Sequence, residues 1–319
     1  MSKVGGGRNY GYGKALAWAG KNALKDRYGA GHYGTVAAHE ERWKRFVTFL
    51  KEQCHIKDTR DIQKEHIERY GQHLEQQVSN RKMKVAYAQN LLSSVNVVLS
   101  TLRSDNHLTI SPSKLVGERT VVREYSPRTV EQTELKRAQQ ILSTKNEKHL
   151  LFLTSLCRTF GLRFREASLL NVSRALKQSR KEGRINITVG TKGGRGKHAD
   201  RWVPVPPQGH KLLEQIHKAL KLENQKNLIP EHKNYIQWRS HAYSQWRLTT
   251  RETEIRGFHD LRAAYACERY QEITNHPAPV ITGQRTASKT LDHKARSILA
   301  KELGHNRTNI LVAYIGSAK

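Results

Sequence analysis

The sequence predicts a mainly α-helical protein of two domains that carries one small antiparallel β-sheet. Three observations lead there. Apolar residues recur at helical spacing through residues 35–103 and again from Thr129 onward. One alternating stretch, Ile185-Asn186-Ile187-Thr188-Val189, and a return stretch, Arg201-Trp202-Val203-Pro204-Val205, flank a glycine-rich turn. Between the helical regions, Ser111-Pro112 and Ser126-Pro127 punctuate a polar, basic run with few helix signals.

Residues 1–34 hold nine glycines interleaved with Arg8, Tyr10, Tyr12 and Lys14. They read as a basic arm, either a mobile tail or a strap along a phosphate backbone, with a short helix from Lys14 to Leu24. Residues 35–110 read as a small helical domain. Val36, Trp43, Phe46, Val47 and Leu50 share one helix face, and Ile62, Ile67, Tyr70 and Leu74 share a second. Val85, Leu91, Leu92, Val95, Val98, Leu99 and Leu102 make a third, strongly apolar helix. The loops between them are basic, at Lys57 and Arg60 and then at Arg81, Lys82 and Lys84. Residues 111–127 are the expected linker, and 128–319 the second domain. There, helices precede and follow a hairpin whose Pro204 marks an edge strand.

The charge narrows the function class. Lys and Arg number 56 against 28 acidic residues, a formal net charge of +28. A chain this basic repels itself unless a polyanion neutralises it, so a nucleic acid is the expected partner. An anionic membrane would call for a basic amphipathic helix or a lipidation signal, and neither stands out. No apolar run reaches bilayer length, and Met1 to Gly7 lacks the apolar core of a signal peptide. A soluble protein of the cell interior is expected. Cys54, Cys157 and Cys267 are far apart in apolar helical contexts, which suits small buried hydrophobes better than a zinc site.

Four clusters carry chemistry. In Gly161-Leu162-Arg163-Phe164-Arg165-Glu166-Ala167, a glycine stops one helix and another starts at once. Arg163 is left at the junction beside free backbone N–H groups, where a guanidinium can fork onto phosphate oxygens. Lys192 lies in the turn Gly190-Thr191-Lys192-Gly193-Gly194-Arg195-Gly196-Lys197, where glycines permit close approach to a groove. Arg195 and Lys197 are further candidate DNA contacts, and Lys197 competes with Lys192 for the role of proton donor. His259-Asp260-Leu261-Arg262 opens a helix and puts His259 and Arg262 on one face. Leu303-Gly304-His305-Asn306-Arg307 precedes Tyr314, which lies nine residues beyond His305.

Taken singly, each cluster also reads as ordinary surface or packing chemistry. Their order, a GLR arginine, a hairpin lysine, an HxLR box, an LGH box and a late tyrosine, resembles the signature of the tyrosine recombinase (phage integrase) family. The motifs cover about residues 150–316, and the upstream helical bundle matches the family's core-binding domain in size, position and charge. The resemblance implies a catalytic set of Arg163, Lys192, His259, Arg262, His305 and Tyr314, with Glu166 supporting the first arginine. Arg163 and Arg262 would neutralise charge on the non-bridging phosphate oxygens. Tyr314 would form a 3′-phosphotyrosyl link. Lys192 would protonate the 5′ oxygen, His259 would assist proton transfer at the tyrosine, and His305 would hydrogen-bond the phosphate.

No metal or other cofactor is implied. Arg81, Lys82, Lys84, Arg195 and Lys197 are the expected DNA-contacting residues. Double-stranded DNA is the expected substrate, acted on by a tetramer of this chain, with a directionality factor or DNA-bending protein as further partners and a cytoplasmic setting. Two features depart from the pattern. The interval from Arg262 to His305 is long, and its extra stretch, Asn275 to Thr290, reads as a surface loop or an added DNA contact. Only five residues follow Tyr314, where the family often has a segment that docks on a neighbouring subunit. A type IB topoisomerase-like enzyme, an inactive basic DNA-binding protein and an RNA-binding protein are the alternatives.

Overall fold

A computed structural model describes residues 7–130, 132–192, 198–305 and 307–318. The chain divides into two compact units, Met1–Thr120 and Val121–Lys319. No helix of the described residues is long and apolar enough to cross a membrane.

The first unit is built from α1 (Leu16–Tyr28), α2 (Tyr33–Gln53), α3 (Lys64–Ser79), α4 (Val85–Arg103) and the short α5 (Pro112–Val116). The apolar stripes expected on α2, α3 and α4 close over one core containing Trp43, Phe46, Leu50, Ile67, Leu91, Val95 and Leu99, each essentially without solvent exposure. Two expectations change here. The glycine-rich start is not a loose arm from Asn9 onward. Leu16, Ala19, Ala23 and Leu24 are buried, and Trp43 Nε1 donates to the Leu16 carbonyl at 2.9 Å. Gly20 makes this approach feasible, because a Cβ there would lie 2.1 Å from Trp43 Nε1. Residues 112–116, expected in the linker, form α5 with Pro112 in the first turn, where its missing N–H costs nothing. This helix packs on α3 and α4. The sequence predicts the helix near residues 14–24 but neither its burial against α2 nor the helical turn at 112–116, since a narrow apolar face means little before a partner covers it.

Arg81, Lys82 and Lys84 are exposed in the loop between α3 and α4, as a nucleic-acid contact requires. Arg60 differs, because its guanidinium is held by Asp58 through bonds of 3.1 and 2.8 Å.

The second unit runs α6 (Gln132–Thr144), α7 (Lys148–Phe160), α8 (Phe164–Leu169), α9 (Val172–Glu182), β1 (Arg184–Asn186), β2 (Trp202–Pro204), α10 (Pro207–Leu222), α11 (Tyr235–Thr249), α12 (Phe258–Thr274), α13 (Pro279–Thr282), α14 (Lys289–Glu302) and α15 (Val312–Ile315). β1 and β2 pair antiparallel with Ile185 opposite Val203, so the hairpin forms with shorter strands than the alternation suggested. The central helix is α12, which packs on α7, α14 and α15. Cys157 and Cys267 are buried in this core as small hydrophobes.

The segment 121–130 is anchored rather than spanning. Arg123 pairs with the buried Asp260, Thr129 N donates to Asp260 Oδ2 at 3.3 Å, and Arg158 Nε donates to the Thr129 carbonyl at 2.9 Å. The added stretch 275–290 is not a detached surface loop either. Ala278, Pro279, Val280 and Ala287 are buried, and α13 packs on α15.

The tight seat of α1 on α2 makes a prediction that a mobile arm would not. Gly20→Val pushes a branched side chain into the Trp43 indole and lowers stability by about 1–3 kcal/mol, the usual overpacking penalty. Urea unfolding followed by tryptophan fluorescence measures it.

Candidate active site

Five of the six residues singled out from the motifs are brought to one region by α8, α12, α15 and the turn after α14, and the sixth lines an adjoining cavity. The construction begins with Gly161. Its φ of +60° ends α7 in the left-handed region, where a Cβ would lie 2.4 Å from the Tyr265 ring, so only glycine fits. The chain then turns into α8 with Arg163 at the N-cap. Glu166, in the first turn, accepts the Arg163 backbone N–H at 2.7 Å, which satisfies one of the donors left free at a helix start. An aromatic cluster seats both helix starts, with the rings of Phe164 and Phe258 5.1 Å apart and Tyr243 against each.

Glu166 is the electrostatic centre. It has no solvent exposure, and its Oε1 lies 2.7 Å from both Arg163 Nη1 and Arg201 Nη1. Arg262 Nη1 stands 3.9 Å from Oε2. Burial alone would push this carboxyl up, but Arg201, Arg262 and Arg163 overcome it and hold the group at about 2.

Arg262 is itself fully enclosed. It donates to the carbonyls of Gly161 and Leu303 and, through Nε, to Tyr314 Oη at 3.4 Å. Its guanidinium also lies over the Tyr314 ring, 5.4 Å from the centroid. Burial, joined by the repulsion of Arg163 and Arg201 and opposed by the attraction of Tyr314 and Glu166, lowers its pKa to about 10, so it remains a cation at neutral pH.

His305 Nε2 faces Tyr314 Oη at 3.2 Å, Arg163 Nη2 at 3.4 Å and Arg262 Nη2 at 3.5 Å. Burial, then Arg262, Arg163 and Arg201, push its pKa down to about 4. The imidazole is therefore neutral at pH 7. With two guanidinium groups aimed at Nε2, that nitrogen is the acceptor and Nδ1 carries the hydrogen. Its lone pair is the proton acceptor nearest the Tyr314 hydroxyl.

His259 stands apart. It lines a shallow depression of about 210 Å³ with Arg163 and Arg262, and among the described residues it makes no hydrogen bond to Tyr314. Crowding by protein, then Arg262, Arg163 and Arg123, lowers its pKa. Lys192 is exposed and lines a second cavity, of about 400 Å³, on the other side of Arg163. Arg163, Arg201 and His305 also line that cavity. Arg195 and Lys197 lie outside the described residues.

Sequence reasoning missed three supports. Arg201 reads in the sequence only as the start of a strand, yet it is 5% exposed and reaches Glu166. Arg296 is paired with Asp292 at 2.9 Å and donates to the carbonyls of Gly316 at 3.3 Å and Ser317 at 3.1 Å. Arg285 Nε donates to the Ala318 carbonyl at 3.0 Å. The last two hold the chain just beyond Tyr314, at the exposed carbonyl end of a four-residue helix that no internal bonding would stabilise. The one available signal was arginine set four residues after aspartate on α14.

Among the described residues no group of His, Cys, Asp and Glu is arranged to hold a metal ion.

The pKa shifts fix the sign of the acid response. His305 falls from an ordinary 6.5 to about 4 on folding, so the unfolded chain binds more protons between those values. Stability therefore falls as pH is lowered from 6.5 towards 4, and His305→Gln flattens that limb of a thermal-melt profile. Glu166, at about 2 against an ordinary 4.5, loses its contribution only below pH 4.5. Glu166→Gln leaves buried arginines uncompensated and lowers unfolding free energy by about 3–5 kcal/mol in urea titrations.

Two comparisons with known proteins found a match. The family model described as Integrase matches residues 117–268, a span that includes Arg163, Lys192, His259 and Arg262 and ends before His305 and Tyr314. Among solved structures, the chain is similar to a lambda integrase dimer bound to a COC' core site. The TM-score is 0.59 at 14% identity, covering 93% of this chain and 75% of that one. No curated protein matches. The ordered motifs and the family model over residues 117–268 support assignment of this chain to the tyrosine recombinase (phage integrase) family, and its mainly helical fold is similar to that of the lambda integrase.

Proposed function

We propose that this protein is a site-specific DNA recombinase that cuts and rejoins duplex DNA through a covalent bond to Tyr314. One observation carries the reading. The Tyr314 hydroxyl lies within hydrogen-bonding reach of Arg262 and of an unprotonated nitrogen of His305, and Arg163 faces that same nitrogen. A nucleophile, a proton acceptor and two cations thus converge where one phosphodiester would sit.

Each step follows from these groups. A phosphodiester is anionic and resists attack, so the Arg163 and Arg262 guanidinium groups neutralise the charge that builds on its non-bridging oxygens. Tyr314 Oη attacks the phosphorus as its proton leaves for a nitrogen base. In the DNA-free protein the base within reach is His305 Nε2, and His259 stands at the rim beside Arg163 and Arg262 to relay protons as the phosphate enters. The bond from phosphorus to the 5′ oxygen breaks, and that oxygen takes a proton from Lys192. The product is a 3′-phosphotyrosyl link and a free 5′ hydroxyl. A 5′ hydroxyl from another strand then attacks the phosphorus and gives its proton to the Lys192 amine, the bond from phosphorus to Tyr314 Oη breaks, Tyr314 takes its proton back from the nitrogen base, and the strand is rejoined. The covalent link conserves the bond energy, so no nucleotide hydrolysis is required.

The basic balance of the chain and the exposed Arg81, Lys82 and Lys84 supply phosphate contacts. The matched integrase is a dimer on its DNA, and exchange between two sites here would engage further copies of this chain.

The test is covalent trapping on nicked duplexes drawn from the source genome. Wild-type protein is expected to form an adduct that survives denaturation, and Tyr314→Phe none. Arg163→Ala and Arg262→Ala are expected to slow adduct formation about 100-fold or more, the scale for losing a charge-stabilising donor. An adduct that persists in Tyr314→Phe would overturn the assignment of the nucleophile. Binding with no adduct in the wild type would turn the reading to a DNA-binding protein without strand cleavage.

A further inference from the structure

Arg201 has the environment of a working residue without a place in the chemistry above. It is 5% exposed, just ahead of β2. Its Nε donates to the backbone carbonyl of Glu302 at 2.8 Å, at the end of α14. Its Nη1 is ion-paired with Glu166 Oε1 at 2.7 Å, and among the described residues its Nη2 has no hydrogen-bond partner. A buried guanidinium with one nitrogen left unpaired costs stability, and a core built only for stability would use an apolar side chain there. Its stem crosses Gly304, whose φ is +66° and whose Cβ, if present, would lie 2.9 Å from Arg201 Cδ. A side chain at 304 would displace either the arginine or the turn that presents His305.

We propose that Arg201 is a positioning residue, which joins Glu166, and through it Arg163, to the α14 end that carries His305, so that the phosphate-facing groups move as one body. The inference rests on the recombinase reading for its kinetic consequence. The connectivity supports it. Glu166 receives Arg163 and Arg201 on the same oxygen, and among the described residues Arg201 extends from that carboxylate to the Glu302 carbonyl. The Glu302 side chain is occupied elsewhere, by Tyr265 Oη at 2.9 Å and Arg269. Arg201 therefore grips the backbone of α14 while other residues grip its side chain. Arg201 lines the same cavity as Arg163 and His305, but its guanidinium is committed to Glu166 and to the Glu302 carbonyl, so its effect passes through Arg163 and His305.

Arg201 also adds a third positive charge around one carboxylate, an excess that an incoming phosphate neutralises. The groups facing His305 are Arg262 from α12, Tyr314 from α15, Arg163 and Glu166 from α8, and Arg201 itself. Lys301 and Glu302 of α14, with Lys192 and Asp200 of the hairpin, line the same cavity. Arg201 is among the cations that depress the His305 pKa, after burial, Arg262 and Arg163.

Two variants of the full chain test this, Arg201→Met, which keeps bulk and removes charge, and Arg201→Lys, which keeps charge and loses the fork. Three readouts are taken: thermal unfolding, single-turnover adduct formation on a nicked duplex, and proton NMR titration of His305 without DNA, assigned with His305→Gln. Arg201→Met is expected to slow adduct formation about 10- to 100-fold with DNA affinity nearly unchanged, as misplacement of reacting groups does. It is also expected to move the His305 titration upward. Arg201→Lys is expected to return the titration most of the way and the rate only in part. A folded Arg201→Met with unchanged rate and unchanged His305 titration overturns the proposal. So does a loss of rate that tracks lost stability while the titration stays fixed. Should Arg201→Met not fold, Arg201→Lys decides alone: an unchanged rate overturns the proposal and a reduced rate with the fold intact supports it. A wild type that forms no adduct defeats the recombinase reading, and the DNA-free titration still judges Arg201.

Discussion

The carboxylate of Glu166, without solvent exposure, stands among the guanidinium groups of Arg163, Arg201 and Arg262. Like charges at this density repel, and in a buried setting the repulsion is weakly screened. One negative charge among three positive ones holds the cluster together and leaves it short of negative charge. That imbalance is what a phosphodiester can repair. The fold therefore leaves an excess of positive charge around Glu166, and burial together with the same arginines keeps His305 neutral.

The same logic recurs across the second unit. In a chain of +28 the carboxylates are scarce, and the buried ones are used to hold arginines and tyrosines. Asp260 takes Arg123 and the Thr129 backbone, which anchors the segment 121–130 to the start of α12. Glu302 takes Tyr265 and Arg269 at the end of α14. Asp292 takes Arg296 and Tyr270, whose hydroxyl donates at 2.8 Å. Each of these pairs sits one step behind a residue of the site, so positional accuracy is inherited from buried ion pairs more than from the loops that carry the reacting groups.

Tyr314 depends on such support most of all. Its helix has four residues, too few for intrinsic helical stability. Arg296 and Arg285 hold the carbonyls beyond it, the Arg123 backbone N–H donates to Val312 at 2.8 Å, and α13 packs against it. The stretch 275–290, which looks in sequence like an interruption between two motifs, is the floor under Tyr314. A short, externally held helix depends on its holders, so the position of Tyr314 depends on Arg285, Arg296 and α13.

The sequence by itself determined the helical class, the cores of both units and the order of the motif residues, because these follow from local periodicity and from residue types that phosphate chemistry demands. Gly161 is legible as a helix stop, Glu166 as the partner of Arg163 three residues earlier, and Arg262 as the second cation. Tertiary structure decided what distance along the chain conceals. α1 and α5 look like an arm and a linker, since each has one narrow apolar face that means little until a partner helix covers it. Arg201 looks like any strand arginine, since its pairing with Glu166 joins residues 35 positions apart through a hairpin. Whether His259 or His305 meets the tyrosine was likewise undecidable in one dimension, since it depends on where the turn after α14 folds back over α12. Local preference is written in neighbouring residues, but electrostatic and positional control come from contacts made only when distant segments close on one another.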